Sequence, residues 1–378
     1  MNPGKNYKLS DYSDRIKKTD SLGKELEPIA LGLFGEVGSI LSSGKKLKRE
    51  GKEVYDFGDS INEELGDALW YFCRLVDIMG YTTDELVPGE VGINQTFSLL
   101  ATNIPCSPLA QLPVYDKKDI WETLPKLGKC AADLLDLPEG KEERKILLKS
   151  FLSRYLDTVK AAQVSFSSVI ENNLIKTEGR FLPINYDQLP EFDGGFEEDE
   201  RLPDNFKIEV RLKGNGKTYM KWRGVFIGDP LTDNIREKDY YRFHDVFHMA
   251  NAAILHWSPT FRALIKHKRK SDPLVDEQQD SGRAIVIEEG LTAWIFSVAK
   301  EKNLFEGHEK LSFGMLKNIQ KFVKGYEVEL CPASLWEKAI LEGYEVFRQL
   351  VKYKSGFVVG DKEKRTISFE PYEDKHDS

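Results

Sequence analysis

Apolar residues recur at helical spacing from Glu25 to about Lys48, through Ile29, Leu31, Leu33, Phe34, Val37, Ile40 and Leu41, until Gly44 and the lysines after it mark an end. The same pattern predicts a second helix from about Ser60 to Met79, closed by Gly80. Arg49-Glu50-Gly51-Lys52 between them reads as a short exposed link, so the two helices are expected to run antiparallel. Residues 84–116 lose the periodicity and carry Pro88, Pro105, Pro108 and Pro113, which predicts an irregular connection with one short helix. Helical pattern resumes over 117–136 and 141–173, the latter with Ile146, Leu147, Phe151, Leu152, Tyr155, Leu156, Val159 and Val164 as its apolar stripe.

Between Arg180 and Leu202 the chain gathers Pro183, Pro190, Gly194, Gly195 and the acidic run Glu197-Glu198-Asp199-Glu200, the composition of a boundary. Beyond it, Phe206–Leu212 and Lys217–Trp222 flank Lys213-Gly214-Asn215-Gly216, a β-hairpin signal. Helical patterns follow over 238–257, 258–270, 281–302 and 333–353. A second hairpin is expected from Phe357-Val358-Val359 and Thr366-Ile367-Ser368-Phe369, with a frayed tail from Asp374 to Ser378. The fold class is therefore mainly α: a helical domain over 1–180, an acidic linker over 181–201, and an α-rich domain over 202–378 that carries β-hairpins.

The 378 residues are 40% hydrophobic and 31% charged, with a formal net charge of -8, which argues against a general nucleic-acid coat. No apolar run approaches a membrane span and the polar start lacks a signal-peptide core, so a cytoplasmic location is expected. Cys73, Cys106, Cys130 and Cys331 lie far apart without paired spacing, which fits reduced thiols and gives no zinc signature.

Chemistry enters with two acidic clusters. Glu36 lies in Gly35-Glu36-Val37-Gly38-Ser39, and Glu64 and Asp67 lie in Glu63-Glu64-Leu65-Gly66-Asp67-Ala68-Leu69-Trp70. Three residues apart on a helix, Glu64 and Asp67 share a face. Carboxylates set among Leu, Phe and Trp are costly to bury without a cation, and hard oxygen donors suit Mg²⁺, with Mn²⁺ as a substitute. The plain alternative is an exposed acidic face of two ordinary helices.

This helical pair resembles the MazG-like members of the all-α NTP pyrophosphatases, whose pattern is Gly-Leu-x-x-Glu-x-Gly-Glu, a basic stretch, and Glu-Glu-Leu-Gly-Asp-x-Leu-Trp-Tyr. Glu36, Glu64, Asp67, Lys45, Lys46 and the Leu69-Trp70-Tyr71 run match; Ser39 stands where the family has its second carboxylate. Ile170-Glu171-Asn172-Asn173-Leu174-Ile175-Lys176-Thr177-Glu178-Gly179-Arg180 is similar to the segment that closes such domains, which implies an insertion at about 92–165. The resemblance implies an all-α bundle that hydrolyses an NTP or dNTP to the monophosphate and pyrophosphate, with Glu36, Glu64 and Asp67 as Mg²⁺ ligands and Lys45 or Lys46 on the phosphates. A hydroxyl at position 39 is a weaker ligand and carries no charge, so metal affinity is expected to fall, with Glu63 as a substitute donor.

A second cluster lies in Tyr240-Tyr241-Arg242-Phe243-His244-Asp245-Val246-Phe247-His248, where His244 and His248 share a helix face and Asp245 lies beside them. With Glu288 and Glu289 it forms a candidate transition-metal or Mg²⁺ site; the plain alternative is core histidines satisfied by hydrogen bonds. Glu288–Phe296 also echoes Glu63–Phe72, which suggests that the second half is a degenerate repeat and the chain an intramolecular pseudo-dimer, the other expectation being a homo-oligomer. Lys266, Lys268, Arg269 and Lys270 form the most basic stretch, read as a grip for a triphosphate, against the alternative of a solvated helix end neutralised by Asp272, Asp276, Glu277 and Asp280 after it. This region and Arg283–Glu289 resemble extensions of MazG-like proteins. The favoured activity is Mg²⁺-dependent nucleoside triphosphate pyrophosphohydrolysis. Its rivals are a metallohydrolase centred on the His/Asp/Glu cluster, and a non-catalytic nucleotide sensor or interaction module.

Overall fold

Of the first apolar stripe, Ile29, Leu33, Val37 and Ile40 fall on one side of a single helix and are buried, whereas Leu31 and Phe34 face away and are exposed. In the computed structural model, residues 9–20, 22–50, 57–86 and 117–372 are described, and the mainly α chain divides into two units, Met1–Leu182 and Pro183–Ser378. The Gly51-Lys52 part of the first link, nearly all of the proline-rich connection with Cys106, and the C-terminal tail lie outside the described residues.

The first unit holds α1 (Leu9–Ile16), α2 (Leu26–Glu50), α3 (Phe57–Ile78), α4 (Lys117–Asp133), α5 (Lys141–Ala161) and α6 (Phe166–Phe181). Helix α2 packs along α3 and against α4, α4 pairs with α5, and α6 returns to α3. A Cβ at Gly32 would collide with the Tyr71 ring, so glycine is what lets α2 approach α3 beside the acidic residues. Helix α3 ends at Gly80, whose φ of +74° accompanies hydrogen bonds from its N–H to Asp77 O and from Tyr81 N–H to Val76 O.

Two expectations change here. The single helix over 141–173 is in fact α5 and α6, broken where Gln163 takes a left-handed φ of 54° and Ser165 caps α6, its side chain accepting from Ser168 N–H. Helix α1 went unread, although Leu9, Tyr12 and Ile16 are buried at helical spacing.

The second unit holds β1 (Asn205–Leu212), β2 (Thr218–Trp222), β3 (Val225–Leu231), α7 (Asp245–Ala250), α8 (Pro259–Ile265), α9 (Gly282–Lys300), α10 (Phe313–Phe322), α11 (Ala333–Tyr353), β4 (Ser355–Asp361) and β5 (Thr366–Glu370). Both expected hairpins form, and β1 pairs antiparallel with β4 to join them in one sheet of order β3-β2-β1-β4-β5. Phe206, Ile208 and Val210 alternate inward from β1. Residues 238–257 are not one helix: a 3₁₀ turn over Tyr241–Phe243 leads into α7, and a π turn over Asn251–Leu255 ends at His256 with φ 59°. Every residue from Arg242 to Thr260 is buried.

The second half therefore does not repeat the long helix pair of the first. Helix α7 has six residues and packs mainly along α11, whereas α2 has 25 and packs along α3. The stretch expected to be a linker is likewise part of the second unit: Asp193 is fully buried, accepting from Leu202 N–H, Arg262 and Lys362. Cys73, Cys130 and Cys331 are free thiols. Among the described residues no helix is long and apolar enough to cross a membrane.

Candidate functional site

The first cluster is assembled by the α2–α3 pair. Glu36, Glu64 and Asp67 each offer a carboxylate oxygen, and these oxygens lie within 4.8 Å of one another. All three side chains are half-buried. Burial pushes the Glu36 carboxyl up to about 7, helped by the charges of Asp67 and Glu64 and opposed by Lys176. The site thus carries crowded negative charge that the protein only partly offsets.

Helix α6 supplies the offset. Lys176 Nζ lies 2.5 Å from Asp67 Oδ2 and 2.9 Å from Glu63 Oε1, and Asn173 Nδ2 donates to Asp67 Oδ1 at 3.0 Å. Tyr12 in turn donates to Asn173 Oδ1 at 2.8 Å, so α1 steadies the same carboxylate through α6. A Cβ at Gly66 would meet the Asn173 side chain at 3.0 Å, which keeps α6 close to α3. Burial opposes the charge on Lys176, but Asp67 and Glu63 outweigh it and hold the ammonium above its usual range. Sequence reasoning missed Lys176 and Asn173 as members of this cluster, although the segment that carries them was singled out. Glu63 faces Lys176 rather than completing the trio. Ser39 is half-buried one turn beyond Glu36, while Lys45 and Lys46 are exposed about 14 Å further along α2.

The second cluster brings His244, just before α7, and His248, within it, to Glu288 and Glu289 on α9. His244, His248 and Glu289 offer ligand atoms within 4.8 Å of one another. His248 is fully buried, with Nδ1 3.1 Å from Glu288 Oε1 and Nε2 3.4 Å from Glu289 Oε1. His244 Nδ1 bonds Tyr241 O at 2.9 Å, and its Nε2 lies 3.8 Å from Glu289 Oε2 and 3.5 Å from Asp245 Oδ1. Burial raises Asp245 above the usual carboxylate range. Burial would lower His248, but Glu288 and Glu289 prevail and raise it well above the ordinary imidazole value. Glu288 stands apart from the trio: its two oxygens accept from Asn251 Nδ2 and from Thr260 N–H, tying α9 to the π turn and to the start of α8.

The basic stretch does not form a phosphate grip. Arg269 is buried and committed to Asp280 at 2.6 Å, Glu327 at 2.6 Å and Phe192 O at 2.8 Å, while Lys268 donates to Ser281 Oγ at 2.9 Å. Arg262 is buried between Asp193 and Asp280. Lys362, Asp193, Arg262, Asp280, Arg269 and Glu327 thus form a chain of alternating charge within the second unit. Only Lys266 and Lys270 of the expected grip are exposed. Asp280 lies 11 positions from Arg269, but Glu327 lies 58 from Arg269 and Asp193 lies 69 from Arg262, pairings that local composition does not show.

Residues 187–373 match the family model of the MazG C-terminal domain. The second unit is thus similar to the MazG C-terminal domain. That match covers the five-stranded sheet, the buried charge chain and the His/Glu cluster, and does not extend into the first unit. No curated protein and no solved structure matches the chain.

Proposed function

We propose that the first unit is a Mg²⁺-dependent nucleoside triphosphate pyrophosphohydrolase, splitting NTP or dNTP between the α and β phosphates to give the monophosphate and pyrophosphate. The observation that carries this reading is the convergence of Glu36, Glu64 and Asp67 from two helices. Three hard oxygen donors, with burial and mutual repulsion raising Glu36 to about 7, match the preference of a divalent cation for carboxylates. Bound Mg²⁺, or Mn²⁺ in its place, would neutralise the polyphosphate, polarise the phosphorus and acidify the attacking water.

The chain's own residues have distinct tasks. Glu36, Glu64 and Asp67 hold the cation; Asn173 and Lys176 fix the direction of Asp67. Lys176 also places a positive charge at the edge of the cluster, where a phosphate oxygen develops charge. Lys45 and Lys46 lie too far along α2 to touch the same oxygens as Glu36, and would act on an outer part of the nucleotide. Exposed Leu31 and Phe34, on the same helix as Glu36, support self-association of the chain.

The direct test incubates purified full-length protein with each NTP and dNTP plus Mg²⁺ and measures pyrophosphate. Release that disappears in Glu64→Gln, with the fold intact by circular dichroism, is the expected result. Absence of pyrophosphate from every nucleotide would defeat the proposal.

A further inference from the structure

His248 is fully buried, yet neither ring nitrogen completes a hydrogen bond. A buried imidazole without aligned partners is costly, and this one points into a cluster of further donors. Each histidine turns its Nε2 into the cluster. His244 Nδ1 is engaged by Tyr241 O, so the neutral ring keeps a lone pair on Nε2, and His248 Nδ1 faces Glu288, whose own oxygens are anchored by Asn251 and Thr260. A carbonyl or carboxylate behind the far nitrogen is the usual support of a metal-bound histidine. Tyr241 stacks on the His244 ring with centroids 4.3 Å apart and planes within 1°, which holds its direction.

We propose that the second unit binds one divalent transition-metal ion, zinc or ferrous iron, through His244 Nε2, His248 Nε2 and the Glu289 carboxylate. Two donors each ~2.0–2.1 Å from an ion at tetrahedral angles stand roughly 3.4 Å apart. His248 Nε2 and Glu289 Oε1 already have that separation at 3.4 Å, His244 Nε2 lies 3.8 Å from the other Glu289 oxygen, and one ligand atom from each of the three residues lies within 4.8 Å of the others. Two imidazoles and one carboxylate select zinc or iron over Mg²⁺. Three protein ligands leave a coordination position open, as in ions that act on substrates rather than ions that brace a fold. The Glu289 side chain is 39% exposed, so water or a small ligand reaches that position, and Asp245 lies beside it.

The site stands or falls separately from pyrophosphohydrolysis in the first unit. The test uses tag-free full-length protein, stripped with a chelator, dialysed and titrated with Co²⁺ as a visible-spectrum probe, with zinc and iron content of the unstripped protein measured by mass spectrometry. About one zinc or iron per chain, and Co²⁺ bands saturating at one equivalent, are expected. Glu289→Gln is partly exposed and expected to fold; it and His248→Ala should weaken Co²⁺ binding about 100-fold or more, while Glu64→Gln leaves the bands unchanged. Wild-type protein that takes up no Co²⁺ and purifies without zinc or iron would overturn the proposal. So would binding that survives Glu289→Gln, or binding lost in Glu64→Gln.

Discussion

Lys176 reaches from α6 to within 2.5 Å of Asp67 on α3, so an ammonium beside the carboxylate trio comes from a helix more than 100 residues downstream. It offsets part of the repulsion felt by Glu36. Lys176→Met is therefore expected to push the Glu36 carboxyl above its present value of about 7 and to reduce pyrophosphate release. Carboxyl carbon NMR titration of the metal-free protein checks the first effect; a Glu36 that titrates unchanged or lower rules out the assigned electrostatics.

Ser39 lies one turn beyond Glu36 on α2, a neighbour on the helix surface. Ser39→Glu adds a fourth hard donor and a negative charge. Divalent affinity is expected to rise about tenfold, ~1.4 kcal/mol. Calorimetric titration with Mn²⁺ measures it, and an unchanged or weaker affinity would show that position 39 does not face the ion.

Glu36 also gives the first unit a pH signature. Its folded value of about 7 lies above the ordinary ~4.3 of a glutamate. A raised carboxyl contributes stability that is fully present below the unfolded value and is lost as pH rises through the folded one. Metal-free protein is thus expected to lose stability from about pH 4.5 to about pH 7.5, and Mg²⁺ should restore it at the upper end. Thermal unfolding of wild type and Glu36→Gln, with and without Mg²⁺, separates the contribution: parallel pH curves would sink the attribution.

The buried charge chain predicts the opposite slope for the second unit. Burial would raise Asp193, but Arg262 and Lys362 prevail and hold its carboxyl well below the usual range. Stability from this depressed group is present above the unfolded value and is lost as pH falls below about 4. Removing one partner of a buried pair leaves the other charge stranded, so Arg269→Met is expected to cost roughly 3–5 kcal/mol. Denaturant unfolding of the full chain measures it; a loss under about 1 kcal/mol would mean that the pairs behave as solvated surface contacts.

Much of this architecture was legible in the chain. Local periodicity and turn chemistry are short-range properties, so the helix pair around Glu36 and Glu64, both hairpins, and α9 and α11 could be read from neighbours in sequence. The Glu64/Asp67 and His244/His248 spacings, set by helical geometry, marked both clusters for the same reason. The residues alone could not say which distant groups meet them. The joining of β1 to β4, the return of Lys176 to Asp67, the placing of Glu289 against His248, and the capture of Arg269 by Glu327 depend on packing between segments far apart along the chain. A basic run and the nearby Asp280 do not reveal that Glu327 and Asp193 will also fold against it, and a serine cap at Ser165 can split an otherwise helical pattern. Side-chain type and spacing set the chemistry available; tertiary packing decided which charges were left to act and which were spent holding the fold.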